Sequence, residues 1–350
     1  MPRPRRSAAP ARLADARGVG VIVVIGAGVA GLAAARALVD AGREVVVLDK
    51  GRGVGGRCAT RRVDEQAVDH GVPWFHGSDP AFLCAFDGMR GIVEGWPRRV
   101  RGSGPACHPA GLELQRFALA DGASDFPKRL AAGLDVRLGV QVAGLSRRGE
   151  RVEVALAGGE VVEAEDVVLA APAEQASALL AGLEQDRQVA AARFVLGRAG
   201  TVACLTVIAL YAADTPDPGF DVLLPEVGGP LALVSHDSSK RVDPARRALV
   251  LQASPAWSRQ HLEAEPAAWS ARLLAEAAAR CGAWVERPEL TQAHRWRYAR
   301  VDPVFALRSP LVLPMGSARV VLAGESFHVG AGVQGAFLSG RAAAARLLAG

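Results

Sequence analysis

Three glycines and one carboxylate are spaced to hold a pyrophosphate. Gly26, Gly28 and Gly31 stand in GAGVAG, and Asp49 follows 23 residues after Gly26. In such a turn the first glycine permits the tight bend and the second lets the backbone approach the phosphates. The third lets the following helix pack on the preceding strand. The phosphates rest on the free N–H groups and positive dipole end of that helix. A carboxylate at Asp49 accepts hydrogen bonds from two ribose hydroxyls and disfavours a 2′-phosphate. The loop DKGRGVGGRCATRR (Asp49–Arg62) then supplies Gly55, Gly56 and Arg57, where small residues let backbone and a guanidinium reach the pyrophosphate from its far side.

The opposite terminus adds a second piece. AGES (Ala323–Ser326) ends a strand, and GAGVQGAFLSG (Gly330–Gly340) opens a helix. Amides near Gln334 and Gly335, facing the N1–C2 edge of an isoalloxazine, would stabilise negative charge on reduced flavin. Two termini converging on one cofactor is a flavoprotein arrangement, so the expected dinucleotide is FAD.

Candidates for the substrate side lie in HRWRYAR. If Ala293–Ala299 is a strand, His294, Trp296 and Tyr298 share one face and Arg295 and Arg297 the other. The aromatic face can stack on a planar substrate and the arginines can meet phosphates. The alternative is a strand with one face on the core and one in solvent. His236, ending LALVSH, is a further candidate, set against the ordinary reading of a satisfied structural histidine. Trp74 and Phe75 read as core or flavin-edge packing. No Ser/His/Asp order, HExxH helix, paired carboxylate or metal-ligand spacing stands out.

These residues need elements to position them. GVIVVI (Gly20–Ile25) is a strand, Val29–Ala41 a helix and EVVVL (Glu44–Leu48) a second strand, together one βαβ unit. LDVRLGVQVAGL, RVEVAL and EVVEAEDVVLA suggest a small meander. Ala199–Ala213 is too short for a spanning helix and reads as a buried strand. An amphipathic helix is expected near Ala267–Arg280, and the chain closes on a strand, ARVVL, and a helix. This predicts an α/β dinucleotide-binding domain of residues 19–76, 116–175 and 300–350, interleaved with an α+β substrate domain of residues 77–115 and 176–299. Residues 1–18 are expected to be a disordered extension.

Composition bounds the reading. The 350 residues are 50% hydrophobic and 22% charged, which suits about two globular domains and excludes a disordered or disulfide-stapled chain. The odd, scattered cysteines read as reduced thiols in a cytoplasmic protein, with no metal site. The net charge of +5 is spread as arginine, lysine occurring only at Lys50, Lys128 and Lys240, so no nucleic-acid partner is expected.

The turn GAGVAG, the loop DKGRGVGGR, DVVLAAP and GAFLSG resemble the FAD-dependent amine-oxidase superfamily. Within it, WSRQHLE (Trp257–Glu263), HRWRYAR and VQGAFLSGRAAAARLL are similar to bacterial members of the renalase family. The resemblance implies a Rossmann-like FAD-binding domain of glutathione-reductase type and noncovalent FAD. It also implies oxidation of isomeric dihydronicotinamide dinucleotides, with O2 as final acceptor. It places the pyrophosphate at Gly26–Gly31, the ribose at Asp49, and the second phosphate face at Arg52 and Gly55–Arg57, with Lys50 also among the cofactor-binding residues. Val142 falls at the adenine, and Gly324, Glu325, Val333, Gln334, Gly335 and Ala336 at the ribityl and flavin ring. The family's D-x-G-A-Q-x-F is DHGVPWF here (Asp69–Phe75), and Gln334 replaces a frequent glutamate.

Taking hydride from an N-ribosyl dihydropyridine yields an aromatic pyridinium directly, so no strong base is required. An amine oxidase often uses a lysine near the flavin N5; here none follows Lys240, which reads as part of a polar loop, HDSSKR. The alternatives are an amine oxidase or desaturase of the same superfamily, or a flavin-binding protein without turnover.

Overall fold

In the computed structural model, residues 20–104, 114–301, 305–330 and 332–349 are described. The expected extension 1–18 lies outside them. The βαβ unit forms as strand Ile22–Ile25, helix Val29–Asp40 and strand Val45–Asp49. Ile22–Ile25 is buried at every position, the unbroken apolar run of a parallel strand covered on both faces. Val45–Asp49 pairs with it on one side and Asp166–Leu169 on the other, both in parallel.

The full sheet runs Leu311–Met315, Ala318–Leu322, Asp166–Leu169, Ile22–Ile25, Val45–Asp49, Asp135–Leu138. Its first strand alone is antiparallel. Strand order reverses about Ile22–Ile25, the next strand lying on one side and Asp166–Leu169 on the other, so the crevice beyond Ile25, Asp49 and Leu169 is a topological switch point, where such sheets bind ligands. Helices Val29–Asp40 and Gly332–Leu348 bury one face of the sheet together with Phe82, Phe86 and Phe126. The antiparallel meander Val142–Arg148, Arg151–Leu156, Val161–Ala164 covers the other, placing Val152 and Val154 in one core with Val23 and Val46.

The second six-stranded sheet runs Leu290–Val301, Thr201–Tyr211, Arg247–Ala253, Leu231–His236, Val222–Leu223, Val100–Arg101. Thr201–Tyr211 is the strand expected within Ala199–Ala213. Alternation sorts its side chains. Leu205, Val207 and Ala209 face a core with Trp257, Trp269 and Leu273 of helices Pro255–His261 and Pro266–Cys281. Ile208 and Leu210 face Val63 and Val68 of the hairpin Thr60–Val63, Gln66–Asp69. No described helix is long and apolar enough to cross a membrane.

Lys240 corrects the expected loop. It ends a 3₁₀ turn, Asp237–Lys240, and is buried. Its Nζ lies 2.8 Å from Asp69 and 2.9 Å from Asp237 and donates to the Pro73 carbonyl at 2.7 Å. Arg241 pairs with the same two carboxylates at 2.8 and 2.7 Å and donates to Leu119 and Ala120 carbonyls. Two cations and two anions thus tie the hairpin to the second sheet at no net charge. Burial would raise the Asp69 carboxyl, but Lys240 and Arg241 outweigh it and hold it down at about 2.

Lys240→Met leaves a buried carboxylate unmatched and is expected to cost about 3–5 kcal/mol, read as a lower urea midpoint. The depressed Asp69 stabilises the fold above its unfolded value near pH 4 and loses that contribution as pH falls through about 2. An acid-unfolding curve of the wild type should therefore fall across that window.

Candidate functional site

A cavity of about 850 Å³ opens at the switch point and extends to the second sheet. Its first end is built by the glycine turn. Gly26 has φ 108°, and a Cβ there would sit 2.7 Å from the Ala170 carbonyl, so only glycine fits. Gly31 does not line the cavity; a side chain would strike the Gly26 carbonyl at 1.9 Å, so its role is helix-to-strand packing. Gly28 caps helix Val29–Asp40, whose first turn has no acidic residue and no side-chain cap. The helix N-terminus therefore opens its free amides onto the cavity, where space beside Gly28 is clear. Gly55 donates to the Ala27 carbonyl at 2.8 Å and brings the second loop against the first. This cradle fits the pyrophosphate of a dinucleotide.

Asp49 and Lys50 line the neighbouring wall, as do Val142, Gly56 and Arg57. Asp49 does more than end a strand: its carboxylate accepts from Ala27 N–H and Gly51 N–H, each at 2.6 Å, and so fixes both loops. Arg52 is exposed and outside the lining, because the loop turns its side chain into solvent.

Gly324, Glu325, Val333 and Ala336 border the middle of the cavity. Gln334 and Gly335 do not. The helical turn directs Gln334 away, and its Oε1 accepts from Ser78 and Asp79 N–H at 2.8 and 2.9 Å; Gly335 packs by His328. Glu325 is buried and accepts from Arg57 Nη1 at 2.5 Å, Val301 N–H at 3.3 Å and Gly332 N–H at 2.9 Å.

The far wall is the second sheet. His294, Trp296 and Tyr298 line it from strand Leu290–Val301. Antiparallel pairing sets Cys204 opposite Trp296, and Thr206 between His294 and Gln252. Trp296 Nε1–H donates to the His70 carbonyl at 3.0 Å, and Gln252 Nε2–H to the Gly71 carbonyl at 2.7 Å. A Cβ at Gly71 would lie 2.0 Å from the Arg57 carbonyl and 3.3 Å from the Trp296 ring, so the segment approaches both only as glycine. Trp74 lines the cavity with Val72 and Pro73, while Phe75 is core. Arg295 donates to the Ala264 carbonyl and Arg297 pairs with Glu263, so both border the cavity with their guanidiniums engaged.

His236 is not part of this site. It is buried on the second sheet, with Nδ1–H donating to the Phe220 carbonyl at 3.3 Å and Nε2 accepting from Arg247 at 3.1 Å. Burial and Arg247 lower its pKa. Cys204, Gln252, Thr201 and Gln175 line the cavity and escaped sequence reading, since only strand pairing and helix placement bring them there.

Residues 24–86 match the model of an NAD(P)-binding Rossmann-like domain, and residues 100–348 that of flavin containing amine oxidoreductase. The chain belongs to the flavin-containing amine oxidoreductase family. It is a flavin-dependent oxidoreductase, and its cofactor is FAD. Putrescine oxidase of Kocuria rosea is 44% identical over 66 residues, which are 19% of this chain and 14% of that protein. Among solved structures, wild-type putrescine oxidase bound to putrescine superposes with TM-score 0.70 at 17% identity, over 95% of this chain and 99% of that one. Cyclohexylamine oxidase from Brevibacterium oxydans IH-35A gives 0.70 at 15%, over 94% and 98%. At such identities these structures are alike in fold.

Two outcomes follow for the cofactor. Cys58 and Cys204 are the cysteines of the lining, and burial pushes the Cys58 thiol up to about 12, so it stays protonated and unreactive. Acid precipitation should release the flavin intact into the supernatant. Asp49→Ala should lower FAD affinity roughly ten- to a hundredfold, the about 1.5–3 kcal/mol of hydrogen bonds to a charged group, measured by flavin content after dialysis.

Proposed function

We propose that this chain is a renalase-like oxidase. It takes hydride from isomeric dihydronicotinamide dinucleotides, 2- or 6-dihydro-NAD(P), and yields NAD(P)⁺ and H2O2. The observation that carries this reading is the charge of the substrate end of the cavity. Arg295 and Arg300 border it together with Arg297, whose charge Glu263 balances, and the lining carboxylates are Asp49, at the glycine turn, and Glu325, paired with Arg57. Such an end favours an anionic dinucleotide over a cationic amine.

The flavin supplies a two-electron acceptor that O2 can reoxidise. The chain's own residues bind and orient. Trp296 presents an indole held by its N–H bond to His70, a surface on which a nicotinamide ring can stack. No proton has to leave a dihydropyridine with its hydride, so the reaction asks no base of the lining. The only lysine of the lining is Lys50, at the Asp49 end. Lys240 is locked between Asp69 and Asp237, which argues against the lysine arrangement of an amine oxidase. The amine reading keeps one support, the aromatic faces of Trp296 and Tyr298, which also suit a cation.

Anaerobic stopped-flow mixing tests the choice. The 2- and 6-dihydro isomers should bleach the flavin rapidly, while 4-dihydro NADH and simple amines should not, because hydride transfer requires the donor carbon at about 3–3.5 Å. Oxygen should then restore the colour and give one equivalent of peroxide. Bleaching by an amine alone would make this an amine oxidase. No bleaching by any donor, with dithionite still effective, would indicate a protein without turnover.

A further inference from the structure

Two side chains of the substrate wall are fixed by consecutive carbonyls of one segment. Trp296 Nε1–H donates to the His70 carbonyl at 3.0 Å, and Gln252 Nε2–H to the Gly71 carbonyl at 2.7 Å. Gly71 also lies close to the indole, since a Cβ on it would come within 3.3 Å of the Trp296 ring. The Gln252 amide and the indole therefore flank the same residue, and both line the cavity. Gln252 stands across from Thr206, and Thr206 across from His294, so these side chains share one face of three adjacent strands.

Gln252 is only 7% exposed, and its bond to Gly71 settles which way the amide points. A carbonyl can accept only from the amide nitrogen, so Nε2 faces Gly71 and Oε1 is turned away from it. Among the described residues nothing donates to Oε1, and that oxygen is not one of the atoms sealed off by protein. A buried amide of fixed orientation thus offers the cavity an acceptor and one remaining N–H.

We propose that Gln252 is a specificity-determining residue that reads the primary carboxamide of a substrate ring lying against Trp296. The inference rests on the proposed function. With the ring's face on the indole, the polar group in its plane is the carboxamide. Its N–H donates to Oε1, and its carbonyl accepts the remaining Nε2–H. A carboxylate in the same place sets oxygen against oxygen with no hydrogen between them, so the acid counterpart is rejected. The same dipole suits the charge of the reaction. A neutral dihydropyridine that gives the flavin a hydride, two electrons with one proton, becomes a pyridinium, and an amide oxygen beside that ring favours the developing positive charge.

The test uses the FAD-loaded protein and two probes, NAD⁺ and its nicotinic acid counterpart, each titrated against the visible band of the flavin. The wild type should bind NAD⁺ about tenfold more tightly than the acid. Gln252→Leu should weaken NAD⁺ about tenfold and bring the two probes within about threefold of each other. Gln252→Glu keeps an acceptor in that place and should keep or widen the preference. Trp296→Phe should weaken both probes alike and leave their ratio unchanged. A wild type that fails to bind NAD⁺, or binds both equally, overturns the role, as does a preference that survives Gln252→Leu; reduction by the 6-dihydro isomer would still uphold the functional reading. A flavin band shifted by Gln252→Leu before any ligand is added also overturns it, because the residue then acts on the cofactor. Should Gln252→Leu fail to fold, a preference lost in Gln252→Glu overturns it instead. If no isomer reduces the flavin, the functional reading fails and this role with it, whatever the ratio.

Discussion

The cavity depends on one buried carboxylate. Glu325 receives Arg57 from the loop after the second strand, the Val301 amide from the end of the long substrate-side strand, and the Gly332 amide from the start of the last helix. These segments are far apart in sequence and each contributes lining residues. A single group that accepts from three of them sets their separation, and with it the width of the cavity between the two sheets. Its desolvation is offset by one guanidinium and two amides, so the charge is matched where it stands. The Arg57 carbonyl extends the same joint to the Gly71 segment, since Val72 N–H donates to it at 3.0 Å.

A second charged joint lies behind the first. Asp69, Asp237, Lys240 and Arg241 hold DHGVPWF from its outer side, with Lys240 on the Pro73 carbonyl. Their arrangement bears on chemistry as well as stability. It commits the lysine behind this segment to two carboxylates, while the segment itself lines the cavity with Gly71, Val72, Pro73 and Trp74. The Val72–Pro73 departure from the family's usual pair belongs to this joint: proline has no amide hydrogen to satisfy, and its carbonyl is the acceptor Lys240 needs.

Much of the cofactor end was legible in the sequence because its physics is local. A strand, a glycine turn and a helix specify an open helix N-terminus within a few residues, and Asp49 is fixed by strand length. The alternation in HRWRYAR likewise put His294, Trp296 and Tyr298 on one face before any partner was known, since strand periodicity is a backbone property. Tertiary structure decided the rest. Arg52 and Gln334 sit in or beside cofactor motifs, yet the loop's turn and the helix's rotation point them elsewhere. Lys240 reads as loop because its partners Asp69 and Pro73 are remote in sequence, and His236 meets Phe220 and Arg247 only through the packing of the second sheet. His70, Cys204 and Gln252 reach the substrate wall only through antiparallel register and the close approach of Gly71. Local pattern settles which face a side chain takes; only packing settles what stands opposite it.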